Sequence, residues 1–287
     1  MMQPARRADV NQEQAEIWNG EGGRAWVEGR ALLDCMYQPV VDAILAACPP
    51  TKGNRVLDVG CGTGAVTIAY ARHLDSGPAC VGVDFSSLMI EAARARGERE
   101  KINASFIQAD AQVYPFEEAS FDLLVSRFGV MFFDDPVRAF TNLRRAAKPS
   151  AKACFAVWRG PADNAFMREA ERAAAPFLPD LPTREPNGPG RFALSDPDRT
   201  KVILSDSGWR RIDILRADIP CSFPLRDLEY MFTTFGPIGS VFQQLSKESQ
   251  AQLIKTVRPV FSKHVIGEEV HFTAGCWIIL AHASQSV

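Results

Sequence analysis

Between residues 55 and 158, short β-branched and apolar runs alternate with segments of helical period. The runs are RVLDV (55–59), CVGVD (80–84), ASFIQ (104–108), FDLLVS (121–126) and KACFAVW (152–158). Few of their positions are polar, the pattern of parallel strands covered on both faces. Between them Val66, Ala69, Tyr70 and Leu74 recur at helical spacing, as do Leu88, Met89, Ala92, Ala93 and Arg96. Asp135 is placed to cap a third helix, and Pro136 suits its first turn, where a missing N–H costs nothing. This alternation predicts an α/β fold: a doubly wound sheet with right-handed crossovers and its ligand at the carboxyl ends of the strands.

The remainder changes character. Residues 161–197 hold prolines at 161, 176, 179, 182, 186, 189 and 197. Asp196 and Pro197 open a short helix predicted to end near Gly208. A strand is expected from Trp209 to Phe223, helices over 226–262, and a last strand from Val270 to Ala281. The first 45 residues read as helical, broken at Gly20, Gly22 and Gly23. The expected organisation is an N-terminal helical lid segment (1–45), a core (46–160), and residues 161–287. This last part supplies the remaining strands and two helical insertions, 161–195 and 225–262.

Composition narrows the class. The chain has 287 residues, of which 46% are hydrophobic and 23% charged, as in globular proteins. Lys+Arg 32 against Asp+Glu 34 gives a net charge of −2, without the bulk positive charge of a nucleic-acid binder. The longest apolar stretch, Ala274 to Ala283, is too short to span a bilayer. The opening residues MMQPARRADVNQEQAE have no apolar core and do not read as a secretory signal. The seven cysteines are scattered without a C-x-x-C, which fits reduced thiols and no metal site. The expectation is a cytoplasmic protein with neither nucleic-acid nor membrane partners. Its oligomeric state is not legible.

VLDVGCGTGAVTIA (56–69) joins a strand to a helix through a glycine-rich turn. Gly60, Gly62 and Gly64 allow a tight turn and close approach to a ligand. Gly60, Gly62 and Ala65 also satisfy the looser G-x-G-x-x-A dinucleotide pattern. Asp84, twenty residues after Gly64, ends the second strand, where an acid binds ribose hydroxyls. These residues alone leave a nicotinamide cofactor and S-adenosylmethionine both open. Asp58 helps to choose. A carboxylate two residues before the first glycine repels a pyrophosphate and suits the ammonium of S-adenosylmethionine.

DVGCGTG, then GVDFS (82–86), QADA (108–111) and FDLLVSRFG (121–129) follow one another as in a known family. In order and spacing the chain resembles the class I S-adenosylmethionine-dependent methyltransferases, and within them the bacterial small-molecule branch that includes the ubiquinone/menaquinone C-methyltransferases. The motifs cover residues 55–158. The resemblance implies a seven-stranded Rossmann-like sheet whose last strand runs antiparallel, with 209–223 and 270–281 as its final hairpin. It implies that Asp58, Gly60, Cys61, Gly62, Thr63 and Gly64 hold the methionine moiety of the cofactor. Asp84 would hold the ribose, Phe85 and Met89 would pack on the adenine, and Asp110 would accept from its amino group beside Ala111. Trp18 and Trp26 lie in WNGEGGRAW, a segment that folds over the cofactor in this branch. The chain departs from the family before the fifth strand. There L-x-P-G-G is replaced by AAKPSAKA (146–153), so the turn is expected to differ.

Residues after the fourth strand face the reactive methyl in this family. Here they are Arg127, Phe128, Gly129, Val130, Met131, Phe132 and Phe133. The N/D-P-P-Y/F motif of nucleobase and amide methyltransferases is missing; Asp135-Pro136 is followed by Val137. Arg127 is the candidate to bind an acidic acceptor or the cofactor carboxylate. Phe132, Phe133, Tyr230 and Phe235 are candidates to line an apolar acceptor pocket. Methyl transfer to a good nucleophile needs alignment and dryness more than acid–base help, so no catalytic residue is evident beyond the candidates Arg127, His264 and His271. The expected function is methyl transfer from S-adenosylmethionine to a small, apolar or aromatic acceptor by in-line displacement. A nicotinamide-dependent oxidoreductase and a non-catalytic cofactor-binding scaffold are the alternatives. The first lacks its usual Tyr-x-x-x-Lys relay here.

Overall fold

A computed structural model describes residues 12–74, 79–178 and 188–284. Three helices open it: α1 (Gln12–Asn19), α2 (Glu21–Glu28) and α3 (Arg30–Ala47). The alternating core follows as β1 (Val56–Val59), α4 (Ala65–Ala71), β2 (Cys80–Asp84), α5 (Ser87–Arg99), β3 (Ala104–Gln108), β4 (Phe121–Arg127), α6 (Pro136–Ala146) and β5 (Ala147–Trp158). Beyond it come α7 (Phe166–Ala174), α8 (Pro197–Asp206), β6 (Arg210–Pro224), α9 (Leu228–Thr234), α10 (Gly236–Phe242), α11 (Lys247–Val257), β7 (Val265–Ile266) and β8 (Glu269–His282). A 3-10 segment, Arg258–His264, links α11 to β7.

The strands form one sheet in the order β3-β2-β1-β4-β5-β8-β6, with β7 paired to β8. Strands β1 to β5 are parallel, and β8 inserts antiparallel between β5 and β6. The seven expected strands are therefore present, and the eighth, β7, has only two residues, pairing at the base of β8. β1 is buried along its whole length, and Val40, Val41 and Ile44 of α3 and Phe140 and Leu143 of α6 are buried in the core with it. Local chemistry sets the helix starts. Ser86 accepts from the Met89 N–H at the head of α5. Asp135 does the same for Arg138, and Asp196 for Asp198 and Arg199, each followed by a proline in the first turn.

Two local expectations are corrected. The break at Gly20 is real, but Gly22 and Gly23 lie inside α2, and the second break falls at Gly29. A Cβ on Gly23 would stand 1.9 Å from the Trp18 carbonyl oxygen, so this glycine serves the close packing of α2 on α1. Residues 147–151 form no turn before the fifth strand. They already belong to β5, which absorbs the altered sequence as a register irregularity opposite β4. Such irregularities bend a strand locally without ending it.

The β6–β8 ladder runs from Arg210↔His282 to Pro224↔Glu269, whereas β5 stops pairing with β8 at Trp158↔Cys276. The hairpin thus rises past the carboxyl end of β5. Its raised end is covered by α7 and the 3-10 segment, with Phe166 stacked on Phe272 at 4.4 Å and Phe261 edge-on to Phe166 at 5.2 Å.

Candidate active site

All three loop glycines have left-handed φ: Gly60 +66°, Gly62 +53° and Gly64 +86°. A side chain at any of them would be strained. The Gly60 and Cys61 N–H groups donate to the Val83 carbonyl, at 2.8 and 3.0 Å. Asp84 then clamps the turn: Oδ2 accepts from the Gly62 N–H (2.8 Å) and Oδ1 from the Ser86 N–H (2.9 Å). The far wall comes from the end of β4. Ser126 Oγ donates to the Val59 carbonyl at 2.6 Å and accepts from the Gly129 N–H at 3.1 Å. Phe128 adopts φ +67° and lays its ring on Trp158, 4.2 Å away and nearly parallel.

Asp58 and Arg127 open on the cleft between these walls, with Trp26, Cys61 and Thr63 also lining it. Asp58 is 1% exposed. Its Oδ2 accepts from Thr67 Oγ1 at 2.7 Å, while Oδ1 is buried without a partner. Burial pushes the carboxyl up to about 7, against the hydrogen bonds from Thr67 and the charge of Arg127. Arg127 is the complement. Burial lowers its pKa, opposed by Asp34 and Asp58, and its Nη1 is also buried without a partner. Its guanidinium stands 5.8 Å over the Tyr37 ring. Buried polar atoms are rarely left unpaired, and charged ones least of all. One orphan acceptor and one orphan donor on a single cleft match the ammonium and carboxylate of an α-amino acid. The residues present therefore fit the amino-acid end of S-adenosylmethionine. The Cys61 thiol, pushed well up by burial, is no nucleophile.

Beyond the turn, Asp84 and Phe85 are half-buried and Met89 is buried. The Met89 sulfur lies 3.9 Å from where a Gly62 Cβ would stand, so methionine and loop are in register. Burial raises the Asp84 pKa, opposed by its backbone donors. Asp110 Oδ1 accepts from the Gln112 N–H at 2.9 Å, beside buried Ala111. Gln112 went unnoticed in the sequence. Its Oε1 accepts from the Asp135 N–H at 2.9 Å and ties this loop to the head of α6, while its Nε2 is buried without a partner. Leu33, Asp34 and Val66 also line the cleft and were missed. They sit on helix faces, where core packing and ligand contact look alike in sequence.

The N-terminal helices dock beside the cleft. Ser86 Oγ donates to the Trp18 carbonyl at 2.6 Å, and the Ser87 N–H donates to Asn19 Oδ1 at 2.9 Å. Trp18 meets Trp26 edge-on at 5.7 Å and Phe132 at 5.2 Å. Trp26 meets Phe235 at 6.2 Å, and Phe235 meets Tyr230 at 5.9 Å. Gly29 makes room for this: its Cβ would fall 2.3 Å from the Phe235 ring. Of the candidates for the acceptor pocket, Phe132, Tyr230 and Phe235 thus join the tryptophans, whereas Phe133 turns to Phe140 of α6.

His264 and His271 are not brought to the glycine loop. They line a second cavity of about 460 Å³ on the raised hairpin, which shares no lining residue with the first cleft. Among the described residues no group of three or more His, Cys, Asp or Glu side chains is arranged to hold a metal, and no helix is long and apolar enough to cross a membrane.

Residues 56–150 match the family model of a methyltransferase domain. Demethylmenaquinone methyltransferase of Renibacterium salmoninarum is 32% identical over 178 residues, 59% of this chain and 70% of that protein. The 2-phytyl-1,4-naphtoquinone methyltransferase of Trichormus variabilis is 32% identical over 116 residues, 40% of this chain, which spans about half (51%) of that relative. Phosphoethanolamine N-methyltransferase 2 of Haemonchus contortus, solved with phosphomonomethylethanolamine and S-adenosylhomocysteine, shares the fold. Its TM-score is 0.53 at 22% identity, over 86% of this chain and 52% of that one. The glycine loop, its acidic partners and these relatives together place the chain among the class I S-adenosylmethionine-dependent methyltransferases, the family to which it belongs.

Proposed function

We propose that this methyltransferase acts on a small aromatic acceptor of quinone or hydroquinone type, by direct in-line displacement. For use of the cofactor, the carrying observation is the pair of orphan atoms, Asp58 Oδ1 and Arg127 Nη1, on one cleft. Asp58 takes the cofactor's ammonium and Arg127 its carboxylate, with Gly60, Cys61, Gly62, Thr63 and Gly64 offering backbone. Asp84 keeps one lone pair per oxygen for the ribose hydroxyls, Phe85 and Met89 pack on the adenine, and Asp110 with Ala111 meets its edge. The bound sulfonium supplies an activated methyl and its own leaving group. The chain aligns the acceptor and excludes water, the two contributions such a transfer needs. Trp18 and Trp26 cover the cofactor, so the described part of the 1–45 segment, residues 12–45, acts as a lid on the binding core at 46–160, and residues 161–178, 188–195 and 225–262 roof the acceptor; residues 1–11 and 179–187 lie outside the described residues.

The acceptor class is supported by the quinone-related relatives and by the aromatic run Phe132–Trp18–Trp26–Phe235 beside the cleft. The test is transfer of labelled methyl from S-adenosylmethionine to a panel of reduced naphthoquinones, simple phenols, phosphoethanolamine, tRNA and protein. Labelling of the reduced naphthoquinones or phenols alone supports the reading. Labelling confined to phosphoethanolamine or a macromolecule overturns it.

A further inference from the structure

We propose that the cavity on the raised β6–β8 hairpin holds the acceptor's ring, and that His264 takes a proton from its hydroxyl group. The inference rests on the methyltransferase reading above and names the part of the site that reading leaves open.

The cavity, about 460 Å³, is of small-ligand size. Phe166 and Phe272 present stacked rings, 4.4 Å apart and 11° from parallel, with Cys221 beside them. These rings, each 8% exposed, give one wall of the cavity an apolar, aromatic character that suits an aromatic ligand. Asp163, His264, His271 and Thr273 are the polar groups among its described lining residues, and none of these is a lysine or arginine. A phosphate or carboxylate ligand would find no counter-charge there. A neutral ring with an ionisable hydroxyl finds both a surface and a base.

His264 is oriented for that work. Its Nε2 lies 3.1 Å from Glu169 Oε2. An ionised carboxylate only accepts, so Nε2 carries the hydrogen and Nδ1 is left as the basic atom. The imidazole is held edge-on against Phe166 at 5.1 Å and beside Phe261 at 6.3 Å. The other Glu169 oxygen meets Lys263 Nζ at 2.7 Å. Of the remaining charged groups around the cavity, Asp163 is paired with Arg159 at 2.7 Å and His271 with Glu269 at 3.4 Å. Glu169 is therefore the acid bonded to the His264 ring, and it stabilises the imidazolium formed when Nδ1 accepts a proton.

The cavity lies past the carboxyl end of β5, on the rim that also carries the glycine loop. Tyr37 belongs to α3, which packs across β4, β5 and β6. Its ring packs on Phe128 and Trp158 at 5.5 and 5.8 Å and lies under Arg127. In the step proposed, the acceptor O–H bond breaks. Its proton moves to His264 Nδ1, and the electron pair stays on oxygen as a phenolate. Conjugation spreads that charge across the ring, which makes the acceptor the better nucleophile.

The probe is 2-naphthol, whose ionised form has its own absorption band, titrated into the protein saturated with S-adenosylhomocysteine at a pH where free naphthol is neutral. The wild type is expected to bind it saturably and show the naphtholate band. His264→Gln should keep affinity within about threefold and lose the band, a loss matching general-base effects of about 10² or more. Glu169→Gln should weaken the band. Thr273→Trp, at an exposed position on the cavity's rim, should cut affinity by about tenfold or more by filling the space. Absence of saturable binding, a band unchanged in His264→Gln, or undiminished binding in Thr273→Trp overturns the proposal. Because these readouts are of binding and ionisation, they fail independently of the methyl-transfer panel.

Discussion

A Cβ on Gly60 would stand 2.5 Å from the Cα of Gly129, and one on Gly129 would stand 2.4 Å from the Val59 carbonyl oxygen. The glycine turn and the segment after β4 therefore touch backbone to backbone, with no side chain between them. This contact fixes the cleft's width, because Asp58 and Thr63 lie on one side of it and Arg127 on the other.

Gly129→Ala should open that contact. Gly129 has an ordinary φ of −80°, so the cost is crowding alone. Overpacking of this kind costs about 1–3 kcal/mol. Thermal unfolding should shift down by several degrees, and the affinity for S-adenosylhomocysteine should fall. An unchanged melting temperature would mean the two segments separate without cost.

Asp58 gives the binding a pH dependence. Burial pushes its carboxyl up to about 7, against 3.8 for the exposed group. Below about 7 it is neutral in the free protein, and holding an ammonium requires it to ionise. Affinity for S-adenosylhomocysteine should therefore fall as pH drops through that value, by up to about tenfold per pH unit. Stability carries the opposite sign. Between 3.8 and about 7 the folded state holds a proton that the unfolded chain has released, so this group's stabilising contribution is lost as pH rises through that window. Calorimetry across neutral pH should show the slope in the wild type and a flat response in Asp58→Asn. A slope that survives in Asp58→Asn assigns it to another group.

The proposed lid makes a separate prediction. Trp26 lines the cleft, whereas Trp18 reaches it only through Trp26 and through the hydrogen bond from Ser86 to its carbonyl. Trp26→Ala should weaken S-adenosylhomocysteine binding by about tenfold, and Trp18→Ala by less, the pair coupling by roughly 1 kcal/mol as aromatic contacts do. Cofactor product should also protect residues 12–33 from hydrogen exchange. Equal exchange with and without it would make the segment purely structural.

The strand pattern carried most of the fold because parallel strands buried on both faces leave long apolar runs with little ambiguity. β2 and β3 begin and end where CVGVD and ASFIQ do. What sequence hid is what depends on distant partners. Gly22 and Gly23 look like breakers, yet helix-on-helix contact is what calls for small residues in α2. Lys148 to Ala151 look like a turn, but they belong to β5, in the irregular stretch between its Phe121↔Ala147 and Leu123↔Lys152 pairs with β4, and Lys148 pairs with Asp122 at 2.7 Å. In the site, Asp58 and the glycines were legible because their spacing is tied to one strand and one turn. Tyr37, Asp34 and Gln112 were not. Their roles arise only when α3 crosses β4 and when the Asp110 loop meets the head of α6. The histidines were readable as residues but not as a place, because the raised hairpin that carries His271 away from the glycine loop is a tertiary feature.

The most direct test of the account is a comparison of S-adenosylhomocysteine with 5′-methylthioadenosine, which lacks the amino-acid end, by calorimetry on the wild type, Asp58→Asn, Arg127→Gln and the double variant. If Asp58 and Arg127 hold that end, the wild type should prefer S-adenosylhomocysteine by about 100-fold or more, each charge-assisted contact contributing about 1–3 kcal/mol. Each single variant should lose part of the preference and the double variant nearly all of it, with methylthioadenosine binding unchanged throughout. Equal affinity of the wild type for the two ligands, or an undiminished preference in the double variant, would contradict the account.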